Sequence, residues 1–327
     1  VSGPTVAVVG AGIAGVACAR ALTAAGIGVE VHERGHAVGG RLASRRLDGR
    51  PVDIGASYCT ASDAGFRAVV DDWLARGVAR AWTDTFDVLQ RDPDGTVTAG
   101  ERRTGPVRYA GTAGQRGLVV DLAAGLDVRR ESPVGVVAPG PVVDGRRYAA
   151  VVLAMPDPQA LRLLDEALTD ERAALGDRAW EPALVLTARY AGRPWAAGPR
   201  ALRDGAFVHG DPVLAWVADD GARRGDGAPV LVAHSTPEFA AAHLADPAAA
   251  TGVLVAALTG LLGLPVGPAA VAVHRWTYAK PVGTREGLFH LGGSRVGLAG
   301  DGWGASKVET AWLSGTRCGQ ALARTLG

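Results

Sequence analysis

Apolar and polar positions recur along this chain with two periods, and the change between them is clearest in the first forty or so residues. Val6 to Val9 is a short, β-branched apolar run that predicts a buried strand. Gly10-Ala-Gly12-Ile-Ala-Gly15 comes next, then an Ala-rich stretch to Ala25-Gly26 that predicts a helix, then a second strand, Val29 to His32, ending at Glu33. This is the order and length of a βαβ unit. Farther on, Phe66, Val69, Val70 and Trp73 share one face of a helix expected over Ala64 to Arg76. Turns and short strands are expected from Ala79 to Tyr109, a short helix from Gly114 to Gly125, and a β-meander from Val128 to Tyr148. Ala150 to Ala154 is a continuous apolar run, the pattern of a strand buried on both faces, and a helix is expected near Asp157. The middle of the chain alternates helices with β-rich segments such as Leu184 to Tyr190 and Val230 to Ser235. The end returns to glycine-rich α/β character: a strand over Arg295 to Ala299, a turn Gly300-Asp301-Gly302-Trp303-Gly304, and a long helix from Ser306 to Leu326.

These patterns predict an α/β protein with an α+β insert. A Rossmann-like dinucleotide-binding domain is expected from residues 1-75, 108-160 and 271-327, with a second, substrate-binding domain of mixed sheet and helices from 76-107 and 161-270. Composition narrows the function classes. Hydrophobic residues make up 48% of the 327, so a large core is available and disorder is excluded. The 34 basic and 33 acidic residues nearly cancel, which argues against nucleic acid or an anionic membrane as the main partner. Cys18, Cys59 and Cys318 form neither a CxxC pair nor a metal-ligand spacing, so no metal is expected and a reducing compartment suits them. No basic-then-apolar leader precedes Thr5, and the apolar stretch Gly252 to Gly263 is too short to span a bilayer, so a cytoplasmic protein is expected. No protein partner is implied.

Gly10, Gly12 and Gly15 match G-x-G-x-x-G. The first glycine permits a tight turn, the second lets the backbone approach a pyrophosphate, and the third allows close helix-to-strand packing. Phosphates would sit at the helix N-terminus, where free N–H groups and the helix dipole favour negative charge. Glu33 is placed to accept hydrogen bonds from adenosine ribose hydroxyls, which suits FAD or NAD and disfavours a 2′-phosphate. Three segments beyond it favour FAD: Val38-Gly39-Gly40-Arg41, the basic pair Arg45-Arg46, and Val52-Asp53-Ile54-Gly55-Ala56. Near the other end, Gly300-Asp301 would place a carboxylate near the ribityl hydroxyls and a helix N-terminus near the flavin ring.

At this point the chain resembles a known group. The glycine fingerprint, Gly39-Gly40-Arg41, Asp53 to Tyr58, Leu153-Ala-Met-Pro156 and Gly300-Asp301 look like the amine-oxidase-like flavoproteins. Within them the chain is most similar to the bacterial renalases, through Gly55-Ala-Ser-Tyr58-Cys-Thr60, Leu231-Val-Ala-His234-Ser-Thr236, His274-Arg-Trp276-Thr-Tyr278-Ala-Lys-Pro281 and Val308-Glu309-Thr-Ala-Trp312-Leu-Ser-Gly315. The resemblance implies a p-hydroxybenzoate-hydroxylase-like fold with non-covalent FAD. It also implies oxidation of 2- and 6-dihydro isomers of NAD(P)H to NAD(P)+, with O2 reduced to hydrogen peroxide. Tyr58, His234 and Trp276 match positions that line the substrate cavity. Gly10, Gly12, Ala14, Gly15, Glu33, Arg34, Gly40, Arg41, Gly55, Ala56, Gly300, Asp301, Lys307, Val308 and Glu309 are the expected cofactor contacts. Asp219-Asp220 departs from the Arg-Asn of the bacterial members, as the turn Gly302-Trp303-Gly304 departs from theirs. Two acidic residues at 219 and 220 would repel a pyrophosphate-bearing substrate and suit a cationic amine.

A dihydropyridine regains aromaticity when it loses hydride, so its oxidation asks for orientation over the flavin rather than for a general base. Tyr58 and Trp276 could wall a flat ring and His234 could hydrogen-bond a carboxamide. A packed core Trp and a buried His are the competing readings of these residues. Arg189, Arg193, Arg223 and Arg224 could meet substrate phosphates. Cys59 reads as a small packed residue. The alternative activity is a flavin-dependent amine or secondary-metabolite oxidase on the same fold, and a third reading is a flavin-binding protein without catalysis.

Overall fold

The computed structural model describes residues 4–198 and 200–327. Two sheets organise them. The first has six strands in the order His290–Leu291, Val296–Ala299, Ala150–Ala154, Thr5–Val9, Gly28–His32 and Val128–Arg129. Its four central strands and Val128–Arg129 run parallel, as βαβ connections require. Thr5–Val9 and Ala150–Ala154 are buried along almost their full length, because helices cover one face and a small antiparallel sheet with the short helices Asp157–Leu163 and Thr169–Leu175 covers the other.

Two helices from opposite ends of the sequence pack beside this sheet: Ile13–Ala24 and Val308–Leu326. They lie so close that a Cβ at Gly315 would collide with the carbonyl oxygen of Ala14, and one at Gly319 would stand 2.6 Å from that of Cys18. Only glycine permits that approach.

The second sheet is larger and mainly antiparallel. Its order is Ala270–Pro281, Trp180–Arg189, Val230–Ser235, Leu214–Asp219, Gly205–His209, Ala79–Arg91 and Val97–Ala99, with Arg103–Gly111 also paired to Ala79–Arg91. Its faces differ. Leu184, Leu186, Leu231, Ala233 and Val217 point to a core closed by the helix Thr251–Leu262 through Leu254, Leu258 and Leu261. The alternate residues, Val185, Val230, Val232, Trp216 and Ala218, face the nucleotide-binding side. Among the described residues no helix is long and apolar enough to cross a membrane.

Two expectations need correction. Ala79–Arg91 is one strand of 13 residues, not several short ones. The polar run Thr83-Asp84-Thr85 reads as a turn, yet register shifts at Ala81/Thr83 and Thr83/Thr85 absorb it within the ladder. Residues 271–281, assigned by sequence to the nucleotide-binding part, form the edge strand of the large sheet, paired from Arg189↔Ala270 to Trp180↔Pro281. A glycine-free, alternating stretch is drawn to the free edge of the nearest sheet.

Candidate active site

The fingerprint glycines are fixed by contact as well as by conformation. Gly10 has φ +106°, and a Cβ there would lie 2.6 Å from Ala154 O. A Cβ at Gly15 would overlap Gly10 O. Gly12 ends the turn and caps the first helix, Ile13–Ala24, leaving that helix N-terminus facing outward beside it. A second glycine turn packs onto the first: Gly39 N–H donates to Ala11 O at 2.9 Å, and a Cβ at Gly40 would reach within 3.1 Å of Gly12 Cα. The cradle is therefore backbone-lined and has no side chain at its base, which fits a diphosphate. Ala14 is buried within the first turn of that helix, under Gly315.

Glu33 stands at the end of the strand Gly28–His32 and turns its carboxylate back on this cradle. Oε2 accepts from Ala11 N–H at 3.0 Å and Oε1 from Gly35 N–H at 2.7 Å. The remaining lone pairs are free for a ribose. Arg34 beside it is exposed.

Several other expected cofactor residues are held by protein partners. Arg41 and Asp301 pair with each other, Arg41 also donates to Ala279 O at 3.2 Å, and Asp301 accepts from Ser306 Oγ at 2.9 Å. Gly55 and Ala56 lie on the main chain of Arg41: Ala56 N–H donates to Arg41 O at 2.9 Å, and a Cβ at Gly55 would collide with that oxygen. Gly300, with φ +146°, donates its N–H to Ser314 Oγ at 2.8 Å and starts the turn into the last helix. Lys307 caps that helix and is exposed, while Val308 is buried. Glu309 is likewise held by the protein itself. Its carboxylate accepts from Ser62 N–H, Ser62 Oγ and Asp63 N–H at 2.5–2.7 Å, and so locks the start of the helix Ala64–Ala75.

The three residues expected over the flavin lie on or against one face of the large sheet. One cross-strand row of that face reads His274, Val185, His234, Trp216, Phe207, Val88. Tyr58 packs on this row from the nucleotide-binding side, with its ring 6.2 Å from Trp216, 5.4 Å from Phe86 and 6.3 Å from Trp82. His234 is the direct cross-strand neighbour of Trp216. Its Nε2 is buried without a partner among the described residues, and burial, reinforced by the charge of Arg223, pushes its pKa down to about 4. The imidazole is neutral near pH 7. Trp276 stands apart from Tyr58, at the other end of the face, where its Nε1 donates to Ile54 O and its ring meets His274 at 4.6 Å.

Sequence reasoning missed the rest of this aromatic wall, Trp82, Phe86, Phe207 and Trp216. The signal was the alternation that puts Trp82 and Phe86 on one face of a strand, and Trp216 with Ala218 on one face of another. It also missed Arg108, whose guanidinium stacks 4.2 Å from the Phe86 ring and 5.9 Å from that of Tyr58.

The acidic pair and the arginines after it require a correction. Asp219 and Asp220 are fully buried and do not face a substrate. Asp219 accepts from Trp195 Nε1 at 2.7 Å and from Ala222 N–H at 2.9 Å, and pairs with Arg193. Asp220 pairs with Arg50, Arg223 and Arg224, and these guanidiniums outweigh the effect of burial and hold its pKa at about 2. Arg223 and Arg224 reach on to Asp53 at 3.4 and 3.2 Å. Arg223 also donates to Ser57 O at 3.2 Å, and Ser57 Oγ accepts from Trp216 Nε1 at 3.1 Å. Buried charges are stable only when paired, and the partners come from distant segments. Arg189 likewise pairs with Asp48. Cys59 is buried against Tyr109 O, and burial with the nearby Glu309 raises its pKa to about 12, so it is not a reactive thiol.

With this geometry in place, comparison with known proteins fixes the fold. Residues 8–73 match the family described as an NAD(P)-binding Rossmann-like domain. The chain superposes on cyclohexylamine oxidase from Brevibacterium oxydans IH-35A with a TM-score of 0.76, over 99% of this chain and 98% of that one, at 16% identity. The chain has the fold of the amine-oxidase-like flavoproteins. A putative protoporphyrinogen oxidase from Exiguobacterium sp. 255-15 shares this flavoprotein fold, with a TM-score of 0.77 over 98% of this chain and 99% of that one, at 14% identity. In sequence, polyamine oxidase 4 of Oryza sativa subsp. japonica is 49% identical over 57 residues, which are 17% of this chain and only 12% of the rice protein.

Proposed function

We propose that the protein is an FAD-dependent oxidase of the renalase type, which oxidises 2- and 6-dihydro isomers of NAD(P)H to NAD(P)+ while O2 becomes hydrogen peroxide. The glycine cradle with Glu33 suits a dinucleotide that carries an unphosphorylated ribose, and an inert Cys59 suits non-covalent binding. When bound, the flavin accepts the hydride and passes both electrons to O2, with one solvent proton completing the peroxide.

The observation that carries the choice of substrate is the charge around the aromatic face. The cations nearest Tyr58, Trp82 and Phe86 are Arg108 and the fully buried Arg223. The carboxylates nearby are Asp220, already shared among three arginines, Asp53, paired with Arg223 and Arg224, and Asp204, which burial shifts toward its neutral form. Such surroundings oppose a cationic amine and favour a flat, uncharged ring. Tyr58 and the row beside it supply the wall, neutral His234 offers its free Nε2 to a carboxamide, and Trp276 closes the far end. No side chain has to remove a proton, because loss of hydride alone restores the aromatic pyridinium.

Amine oxidation is the second reading, favoured by what the polyamine and cyclohexylamine oxidases are named for. Anaerobic mixing of the flavin-loaded protein with 6-dihydro-NAD, 2-dihydro-NAD, β-NADH and a panel of amines, monitored at about 450 nm, separates the two. Fast bleaching by the dihydro isomers alone is expected. Bleaching by amines alone would overturn the proposal in favour of the second reading.

A further inference from the structure

Arg116 lies in the first turn of the helix Gln115–Leu122, and sequence reasoning gave it no role. Its main chain is tightly held: Gln115 N–H donates to Asp53 Oδ1 at 2.9 Å and Arg116 N–H lies 3.4 Å from Ser44 Oγ. Its side chain is not held by any polar group. Among the described residues the guanidinium makes no hydrogen bond or ion pair, and its Nε is buried without a partner. Other arginines without a partner among the described residues, such as Arg34, Arg45, Arg103 and Arg130, are exposed, whereas the partly buried Arg41, Arg50, Arg193 and Arg223 all reach carboxylates.

Where the side chain lies suggests its missing partner. It runs along Gly39, such that a Cβ there would meet Arg116 Cγ at 3.1 Å and Nε at 3.5 Å. Gly39 in turn is bonded to Ala11 in the first glycine turn. The guanidinium is within electrostatic reach of Glu33, the ribose acceptor, and of Asp53 and Arg45, and burial is the main influence that depresses its pKa. A half-buried cation beside a backbone-lined anion cradle, with no anion of its own, is a vacant half of an ion pair.

We propose that Arg116 is a further ligand of the cofactor, its guanidinium binding the diphosphate where the two glycine turns meet. This rests on the flavin reading above. Gly39 is needed to let the arginine stem pass, while the fork of N–H donors matches phosphate oxygens in a way a lysine would not.

The test uses the full chain stripped of flavin. FAD, ADP and adenosine are titrated into the wild type, R116M and R116Q, and unliganded melting is recorded for each. R116M keeps the stem that packs on Gly39. Both variants are expected to bind FAD and ADP about tenfold or more weakly, to bind adenosine as the wild type does, and to show a shallower salt dependence of FAD binding. Unliganded melting should hardly move, since the side chain has no polar contact to lose. Wild-type FAD and ADP affinity in either variant would overturn the assignment while leaving the flavin reading intact. A wild type that takes up no FAD would overturn both.

Discussion

Arg41 and Asp301, 260 residues apart in the chain, meet in a two-pronged ion pair, with Arg41 Nη1 3.0 Å from Asp301 Oδ2. The pair joins the second glycine turn to the turn before the last helix, and so ties together two distant ends of the sequence. Asp301→Ala should lower stability by about 2 kcal/mol and reduce flavin occupancy after purification. Chemical denaturation and the ratio of flavin to protein absorbance measure the two effects.

Asp220 anchors three guanidiniums at no exposure to solvent. Asp220→Asn removes the charge and leaves them facing one another, so a loss of about 3–5 kcal/mol is expected. Asp226→Asn, which removes only the half-exposed partner of Arg50, should cost under about 1 kcal/mol. Comparable losses in the two variants would show that the buried network is not what joins the strand Arg50–Asp53 to the helix Asp220–Arg224.

The βαβ unit was legible because each step has a local cause: a β-branched run, glycines that no other residue could replace, and an acidic strand end. The acidic pair at 219 and 220 was misread because its meaning depends on Arg50 and Arg193, and no local pattern connects 50 with 220. The aromatic wall fell between these cases. Trp82 and Phe86 alternate as strand residues should, but Thr83-Asp84-Thr85 between them mimics a turn, and only the bulged pairing with Arg103–Gly111 resolves it. The carboxylate of Glu309 shows a similar ambiguity, since at a helix start it suits a ligand and a neighbouring turn equally well, and here it bonds the turn.

Below neutral pH the protein should lose stability through His234. Its folded pKa, about 4, lies below the ordinary 6.5, so the unfolded chain takes up the proton first and stability falls as pH drops from 6.5 toward 4. The loss is about 2 kcal/mol by about pH 5, with His274, also at about 4, adding to it. Urea unfolding across this range should show a flatter decline in His234→Asn. An unchanged slope would mean that the imidazole is not held neutral.

Trp276→Ala should slow flavin reduction while FAD stays bound, since the residue touches the apolar cluster of Val52, Ile54 and Val185 rather than the glycine cradle. A stability loss of about 3 kcal/mol is expected alongside it. Stopped-flow reduction at saturating substrate decides the matter: a wild-type rate would leave Trp276 with packing as its only role.

The close crossing of the helices Ile13–Ala24 and Val308–Leu326 has a bearing on biosynthesis. The strand Ala150–Ala154 gains its second parallel neighbour, and the helix Ile13–Ala24 its partner helix, only when residues near 296 and beyond arrive. The sheet begun at Thr5–Val9 is therefore completed only after the large second sheet between its segments has been synthesised. Chaperone dependence and slow holoprotein assembly are the expected signatures of that order.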